Sequence, residues 1–346
     1  MGLGLLLGTL ADAALGDPRR GHPVAGFGWL AARLEATVWR PSRVAGAGYA
    51  LALVGAVAAA AFLTDSRLRA RPAARTVLVA AVTWTALGGR SLGRAALDVA
   101  GAVRAGDLEA ARRLLPALAG RDPHGLDGPE LCRAAAESVA ENTADAVVGP
   151  LLWGAVAGPA GIAAYRAANT LDAMVGHRSD RYHRFGWAAA RLDDVLTWPA
   201  ARLGAGLACA LAPAVGGDRR MAWSTMRRDG AAHPSPNAGR LEAAFAGALG
   251  VRLGGRNRYG ERVEDRPVLG AGPPAGPADV VRAARLSALV GAAATGLAAA
   301  GALALRAAGD RSPAGRCPGA LGPAGPRAGG AGAGGAGAGG PGRPGP

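Results

Sequence analysis

Lysine is absent from this sequence: all 39 basic residues are arginine, set against 25 acidic ones, for a net charge of +14. GC-rich coding accounts for that bias, because it favours Arg, Ala, Gly and Pro together. Aromatic residues make up only 4% of the chain. A basic protein that stacks on nucleic acid interleaves aromatics with its arginines. Here the arginines lie between apolar runs, which excludes nucleic acid as partner and fits a membrane surface and anionic substrates. Cysteine is scarce as well. Cys132, Cys209 and Cys317 are far apart, odd in number and without a CxxC, so neither a disulfide framework nor a zinc site is expected. The apolar start, Met1 to Gly16, lacks a basic n-region and reads as a retained helix, not a cleaved signal.

What the chain has in quantity is small apolar bulk. Half of its 346 residues are apolar and 56 are glycine. Small residues let helices approach closely inside a bilayer, where burial from water no longer drives association. Gly46 to Thr64 and Leu286 to Leu305 are clean apolar runs of bilayer-crossing length. Thr76 to Gly89 is shorter. Ala146 to Tyr165 is broken by Pro150, Gly158 and Pro159, and Val195 to Gly217 carries Pro199, Arg202 and Pro213. The expected fold is all-α: a polytopic integral membrane helical bundle with re-entrant or broken helices and polar connecting segments, spanning 1–308. From 309 to 346 the composition of Gly, Ala, Pro and Arg offers nothing to bury, so a disordered tail is expected. Arg67, Arg69, Arg71 and Arg75 mark one loop as cytoplasmic, and Arg166, Arg178, Arg181, Arg184 and Arg191 mark another. Both on one side would make 76–89 and 195–217 re-entrant or interfacial.

Polar chemistry is concentrated between Glu137 and Asp194. Glu137, Glu141 and Asp145 fall four apart, on one helical face. Like charges at that spacing repel, so fold stability alone would not select them. In a soluble helix they would be a solvated acidic face. Here an apolar segment begins at Ala146, and ionisable groups at a membrane boundary are functional candidates. Oxygen-only ligands suit Mg²⁺, held by one or two carboxylates plus substrate phosphates. NTAD at 142–145 is echoed by NTLD at 169–172. The two pairs sit at opposite ends of one apolar segment and meet only if Pro150 or Gly158-Pro159 folds it back. In Arg191-Leu-Asp193-Asp194 the adjacent carboxylates point apart, so at most one is expected to face a given ligand; a helix cap is the competing reading. His233-Pro-Ser235-Pro236-Asn237 reads as a helix start, with Ser235 the cap and Pro236 the first helical residue. Free N–H groups there would form an anion site. Leu253-Gly254-Gly255 and Tyr259-Gly260 read as a flexible loop. Asp107 is a plausible helix cap. His22 alone is more in keeping with a structural role.

Taken together, these motifs resemble the CobD/CbiB family of cobalamin biosynthesis, the adenosylcobinamide-phosphate synthases. The resemblance runs from about residue 5 to about 305. It rests on GDP and HPV at 16–24, ESVAENTAD at 137–145 with Pro150, and NTLDAMVG at 169–176. RYHRFG at 181–186, AARLDDV at 189–195 with Pro199 and Arg202, HPSPNAG at 233–239 and LGG at 253–255 complete it. Ala146 stands where the family commonly has Gly, and Arg240-Leu241 replaces an aromatic-containing pair.

The resemblance implies an amide-forming ligase. It joins the free carboxylate of adenosylcobyric acid to (R)-1-amino-2-propanol O-phosphate, or to aminopropanol, with ATP and Mg²⁺. A carboxylate is a poor electrophile and needs activation, as in an acyl phosphate, and phosphoryl transfer depends on positioning and charge neutralisation. Hence Glu141, Asp145 and Asp172 are expected as Mg²⁺ or base candidates. Glu137 is expected to deprotonate the attacking ammonium. Asn142 and Asn169 are orienting groups. Arg166, Arg178 and Arg191 are phosphate or carboxylate partners, with Asp194, His233, Ser235 and Asn237 as further binding residues. The implied location is the cell membrane with the site on the cytoplasmic side, and association with other membrane enzymes of the corrinoid pathway is expected. Two other readings compete. A Mg²⁺-dependent membrane prenyltransferase also uses paired Asn/Asp motifs, though with a doubled Asp. An AmpE-like membrane sensor would need the fold but not the acidic face.

Overall fold

Short polar residues set many of the helix starts. His22 Nδ1 accepts the N–H of Val24 at 3.2 Å, which gives that lone histidine a capping role. Asp107 accepts from Ala110 at 2.8 Å, as its position before an amphipathic run predicts. Asp127 and Glu130 form a reciprocal capping box.

The computed structural model describes residues 1–18, 21–177, 179–259 and 262–310. The chain runs α1 Gly2–Leu15, α2 Pro23–Val38, α3 Arg43–Arg67, α4 Pro72–Ala86, α5 Gly89–Arg104, α6 Leu108–Leu114 and α7 Gly128–Thr143. A π-helical turn, Ala144–Val148, leads into α8 Gly149–Val175, followed by α9 Trp187–Leu211, α10 Arg219–Asp229 and α11 Ala238–Leu249. A hairpin of β1 Leu253–Tyr259 and β2 Arg262–Leu269 precedes α12 Pro277–Asp310. The tail expected from 309 onward falls almost wholly outside the described residues, as does Cys317.

The architecture is a polytopic helical membrane bundle. Among the described residues, Arg43–Arg67, Gly128–Val175, Trp187–Val215 and Pro277–Leu305 are long and apolar enough to cross a membrane. Leu51, Phe62, Leu63, Val77 and Leu303 point outward, exposed.

The stretch Gly128–Val175 does not run straight. Gly158 stands at φ 63° and ψ −151°, a conformation that a Cβ opposes, and Pro159 follows it. The two arms then pack against each other. A Cβ on Gly149 would overlap the Tyr165 ring, and one on Gly154 would stand 3.0 Å from Ile162. Residues on either side of Gly158 therefore meet, so the chain folds back as the Asn/Asp echo requires. The π turn has a visible use, because the Ala146 carbonyl accepts the N–H of Gly88 at 3.1 Å.

Contacts along the bundle define two ends. At one end Thr143 bonds Ser287 at 2.7 Å, and Trp39, just before α3, donates to the Arg181 carbonyl at 3.3 Å. At the other, Met1 approaches Gly158 and Gly2 lies on Ala299. α3 begins at the first end and reaches Arg67 after 25 residues, about 37 Å at 1.5 Å per residue. The Arg67–Arg75 loop therefore lies at the opposite end from Arg181. This corrects the expectation that both arginine groups share one side; the unbroken helix between them makes one crossing. α4 likewise runs along the axis beside α1, packing Val79 and Thr83 on Gly4 and Gly8, so it does not lie flat in the interface. α9 fits the interfacial reading better. It starts where Phe185 packs on Gly46, and just beyond it the Val215 carbonyl accepts from Arg282 in the first turns of α12 at 2.9 Å, so both of its ends lie at the first end.

Residues 253–260, expected to be a flexible loop, contribute β1. It pairs antiparallel with β2, Leu253 opposite Leu269, with a bulge between Leu253 and Gly255. The polar run Arg256-Asn257-Arg258 hid the strand, because its pairing partner, not apolar alternation, holds it.

Candidate active site

Where the hairpin arms return to the first end, they border a cavity of about 970 Å³. α7 supplies Glu141 and the π turn supplies Asp145. The end of α8 supplies Asp172, with Gly176 and His177 just beyond it. α9 adds Asp193, Asp194 and Thr197. The segment His233–Ala238 and residues Glu264, Asp265 and Arg266 of β2 close the far wall.

The two Asn/Asp motifs meet here. Asn169 Nδ2 donates to Asp193 Oδ1 at 3.3 Å, and Thr197 Oγ1 donates to the same oxygen at 3.4 Å. Asp145 interacts with Asn169 and feels Asp193 and Glu141 as like-charged neighbours. Tyr165 and Thr197 hydroxyls lie 3.1 Å apart, tying the second arm to α9. Arg166 Nη1 donates to Asn169 Oδ1 at 3.2 Å, which orients the amide so that its NH₂ faces the carboxylates.

Several expected site residues sit elsewhere. Glu137 is buried outside the cavity lining. Arg121 holds its Oε2 at 2.6 Å, while Gly254 N–H at 2.6 Å and Arg133 at 3.4 Å take its Oε1. Both of its oxygens are committed to anchoring the β-hairpin on α7. Asn142 turns back along its own helix to the Ser138 carbonyl at 3.0 Å. Arg191 is exposed and lies 3.6 Å from Asp194. Arg166 faces a neighbouring apolar cavity, and Arg178 lies outside the described residues.

The segment after His233 is braced more than it is open. His233 Nδ1 accepts the Ser235 N–H at 3.0 Å, and Ser235 Oγ accepts those of Asn237 and Ala238 at 3.3 and 3.2 Å. Those N–H groups are thus already used, and α11 begins two residues after Pro236. Asn237 accepts from Arg202 at 2.8 Å and donates to the Asp194 carbonyl at 2.8 Å, clamping the segment onto α9.

Three contributors were missed by the sequence reasoning. Asp193 lines the cavity beside the expected Asp194, because it is wide enough to reach both sides of the α9 start. Among the described lining residues the guanidinium is that of Arg266, brought in by the unforeseen hairpin. Behind the wall, Glu242 is buried 3.7 Å from His233 Nε2. Burial, reinforced by Glu137 and Glu141, pushes the Glu242 carboxyl well above the usual range. Burial, then the nearby Arg266, pushes His233 down, so its ring is neutral at neutral pH.

Among the described lining residues the charged groups are therefore mainly carboxylates, with one guanidinium. Among the described residues no group of three His, Cys, Asp or Glu side chains is arranged to hold a metal ion by itself. Hard oxygen donors spaced around an open cavity suit a cation that also binds phosphate and water, as Mg²⁺ does. The same negative charge suits an ammonium group.

A family model described as CobD/Cbib protein matches residues 5–287. The chain belongs to the CobD/CbiB family. The curated relatives are similar over most of the chain. The cobalamin biosynthesis protein CobD of Mycobacterium tuberculosis is 55% identical over 293 residues, covering 84% of this chain and 93% of that protein. A protein of the same description from Rhodobacter capsulatus is 46% identical over 282 residues, 78% of this chain and 88% of that one. One from Geobacter metallireducens is 44% identical over 271 residues, 77% and 85%. No solved structure matches. Membership of the CobD/CbiB family displaces the prenyltransferase and sensor readings.

Proposed function

We infer that this chain is an amide-bond-forming ligase of cobalamin biosynthesis, the adenosylcobinamide-phosphate synthase. It links the free propionate carboxylate of adenosylcobyric acid to (R)-1-amino-2-propanol O-phosphate. The observation that carries the reading is the convergence of Glu141, Asp145, Asp172, Asp193 and Asp194 on one cavity in a member of this family.

The chemistry asks for an acyl oxygen that leaves as phosphate and an amine that loses its protons. ATP supplies the phosphoryl group, and Mg²⁺, when bound, offsets the phosphate charge. Glu141, Asp145 and Asp172 are the residues to hold the cation, with Asp193 beside them. Arg266 supplies positive charge for a phosphate or the corrinoid carboxylate, the role first expected of Arg166, Arg178 and Arg191. The acidic wall draws the ammonium in, and one of its carboxylates takes the proton. Asn169, steadied by Arg166, fixes the orientation of Asp193. Glu137 and Asn237 act by holding the hairpin and the 233–238 segment in place. Dependence on ATP puts the first end of the bundle on the cytoplasmic side, and that exposed end is where other corrinoid-pathway membrane enzymes would dock.

Purified protein in detergent, given adenosylcobyric acid, aminopropanol phosphate, ATP and Mg²⁺, is expected to yield adenosylcobinamide phosphate by mass spectrometry. Product with free aminopropanol but not with its phosphate would correct the amine. No product with either amine, from folded protein, would overturn the reading.

A further inference from the structure

Consecutive antiparallel helices joined by a short loop normally pack on each other. α3 and α4 do not. Asp65 and Arg75 pin them together at the loop with a pair of hydrogen bonds at 2.7 and 2.8 Å. Beyond that point α3 packs on α8, α4 packs on α1 and α8, and the two barely touch. The space between them is a cavity of about 450 Å³, walled by α3, α4, the second hairpin arm and the start of α2.

Its shape and chemistry are specific. Along the second arm it runs from Ile162 to Thr170, about 12 Å at 1.5 Å per residue. Ala60, Ala61, Ala81 and Val82 make its walls small and apolar. Arg166 also lines it. Nε of Arg166 is buried without a hydrogen-bond partner among the described residues, while Nη1 is held by Asn169. A buried donor left unmade carries its full desolvation penalty unless something binds it. Ala60 and Ala81 are exposed, and the neighbouring outward residues Phe62, Leu63 and Val77 are too, so the slot opens sideways to the bilayer. Arg166 sits one helical turn below Asn169, whose partner Asp193 lines the water-accessible acidic cavity.

We propose that the slot between α3 and α4 holds one anionic glycerophospholipid, an acyl chain lying between the helices and its phosphate on Arg166. A narrow apolar slot headed by a guanidinium complements that amphiphile at both ends. Basic pockets between membrane helices bind lipid head groups in the same way. A dry void of this size would forfeit the dispersion contacts of every atom lining it. Through the Arg166–Asn169–Asp193 chain, the lipid phosphate steadies the acidic site.

The test is native mass spectrometry of the full chain after a delipidating detergent wash, a readout independent of the ligase activity. Wild type is expected to retain about one anionic phospholipid per chain. Ala60→Phe with Ala81→Phe, which fills the slot from its exposed side, is expected to lower occupancy at least tenfold. Leu51→Phe, outside the slot, is expected to leave it unchanged. Arg166→Ala is expected to remove the preference for anionic over zwitterionic lipid. Circular dichroism melts check that each variant is folded. No retained lipid in the wild type, equal retention by the slot-filled protein, or a zwitterionic lipid bound equally well would overturn the proposal.

Discussion

Gly149 and Tyr165 face each other across the two arms of one helical hairpin, so closely that a single Cβ on Gly149 would overlap the phenol ring. The two residues are 16 apart in sequence, with Gly158, where the backbone reverses, between them. It brings Asp145 and Asp172, which close the two motifs, to one cavity.

Overpacking that contact tests the hairpin. Gly149→Ala is expected to cost roughly 1–3 kcal/mol of stability, the usual penalty for a forced methylene in a tight core. Adding Tyr165→Leu is expected to give less loss than the sum of the two single changes, read by thermal unfolding in detergent. Strict additivity would separate the two residues.

Removing Glu137 is expected to act on folding more than on turnover. Its partner Arg121 is buried at 2.6 Å. Breaking such a pair leaves an uncompensated charge and costs about 3–5 kcal/mol. Glu137→Ala is expected to melt early, and folded Glu137→Gln to keep the wild-type pH profile of kcat. A folded Glu137→Gln protein that lost the acidic limb of that profile would return Glu137 to the role of base.

Much of this site was legible in the residues. The NTAD and NTLD echo and the Gly158-Pro159 break together imply a fold-back, because only that reversal lets two carboxylate pairs share a ligand. Arg266 was not legible: β2 is held by pairing with a polar strand, and nothing in Val263 to Val268 marks a chemical role. Glu137 was misplaced because its spacing from Glu141 is helical, whereas its partners Arg121 and Gly254 come from other parts of the chain. The arginine-rich loop at 67–75 misled for a different reason. Charge bias reports sidedness only statistically, while one unbroken 25-residue helix separates that loop from Arg181.

Single cysteines at positions 71 and 181 therefore ought to label from opposite sides of the membrane. In sealed inverted vesicles an impermeant maleimide is expected to modify the cysteine at 181 and spare the one at 71. Modification of both without detergent would contradict the axial placement of α3.

Glu242 predicts a pH dependence. Burial raises its pKa above the ordinary glutamate value, so over the interval between the two the folded chain holds a proton that the unfolded chain has released. Stability then falls as pH rises through that window. Glu242→Gln removes the titration, and the expected result is a flatter stability profile on the alkaline side. A wild-type slope retained in the variant would assign it to another group.

The central claim is that Asp145 and Asp172 serve one site although they stand 27 residues apart in sequence, with a reversed helix between them. A double-mutant cycle on kcat/KM for amide formation, with Asp145→Asn and Asp172→Asn at fixed Mg²⁺, tests it most directly. Each single change is expected to lower the rate by about 10²–10³, the range seen when one stabilising group is lost, and the double change to cost little more than either. Full activity in either single variant, or losses that simply multiply, would contradict it.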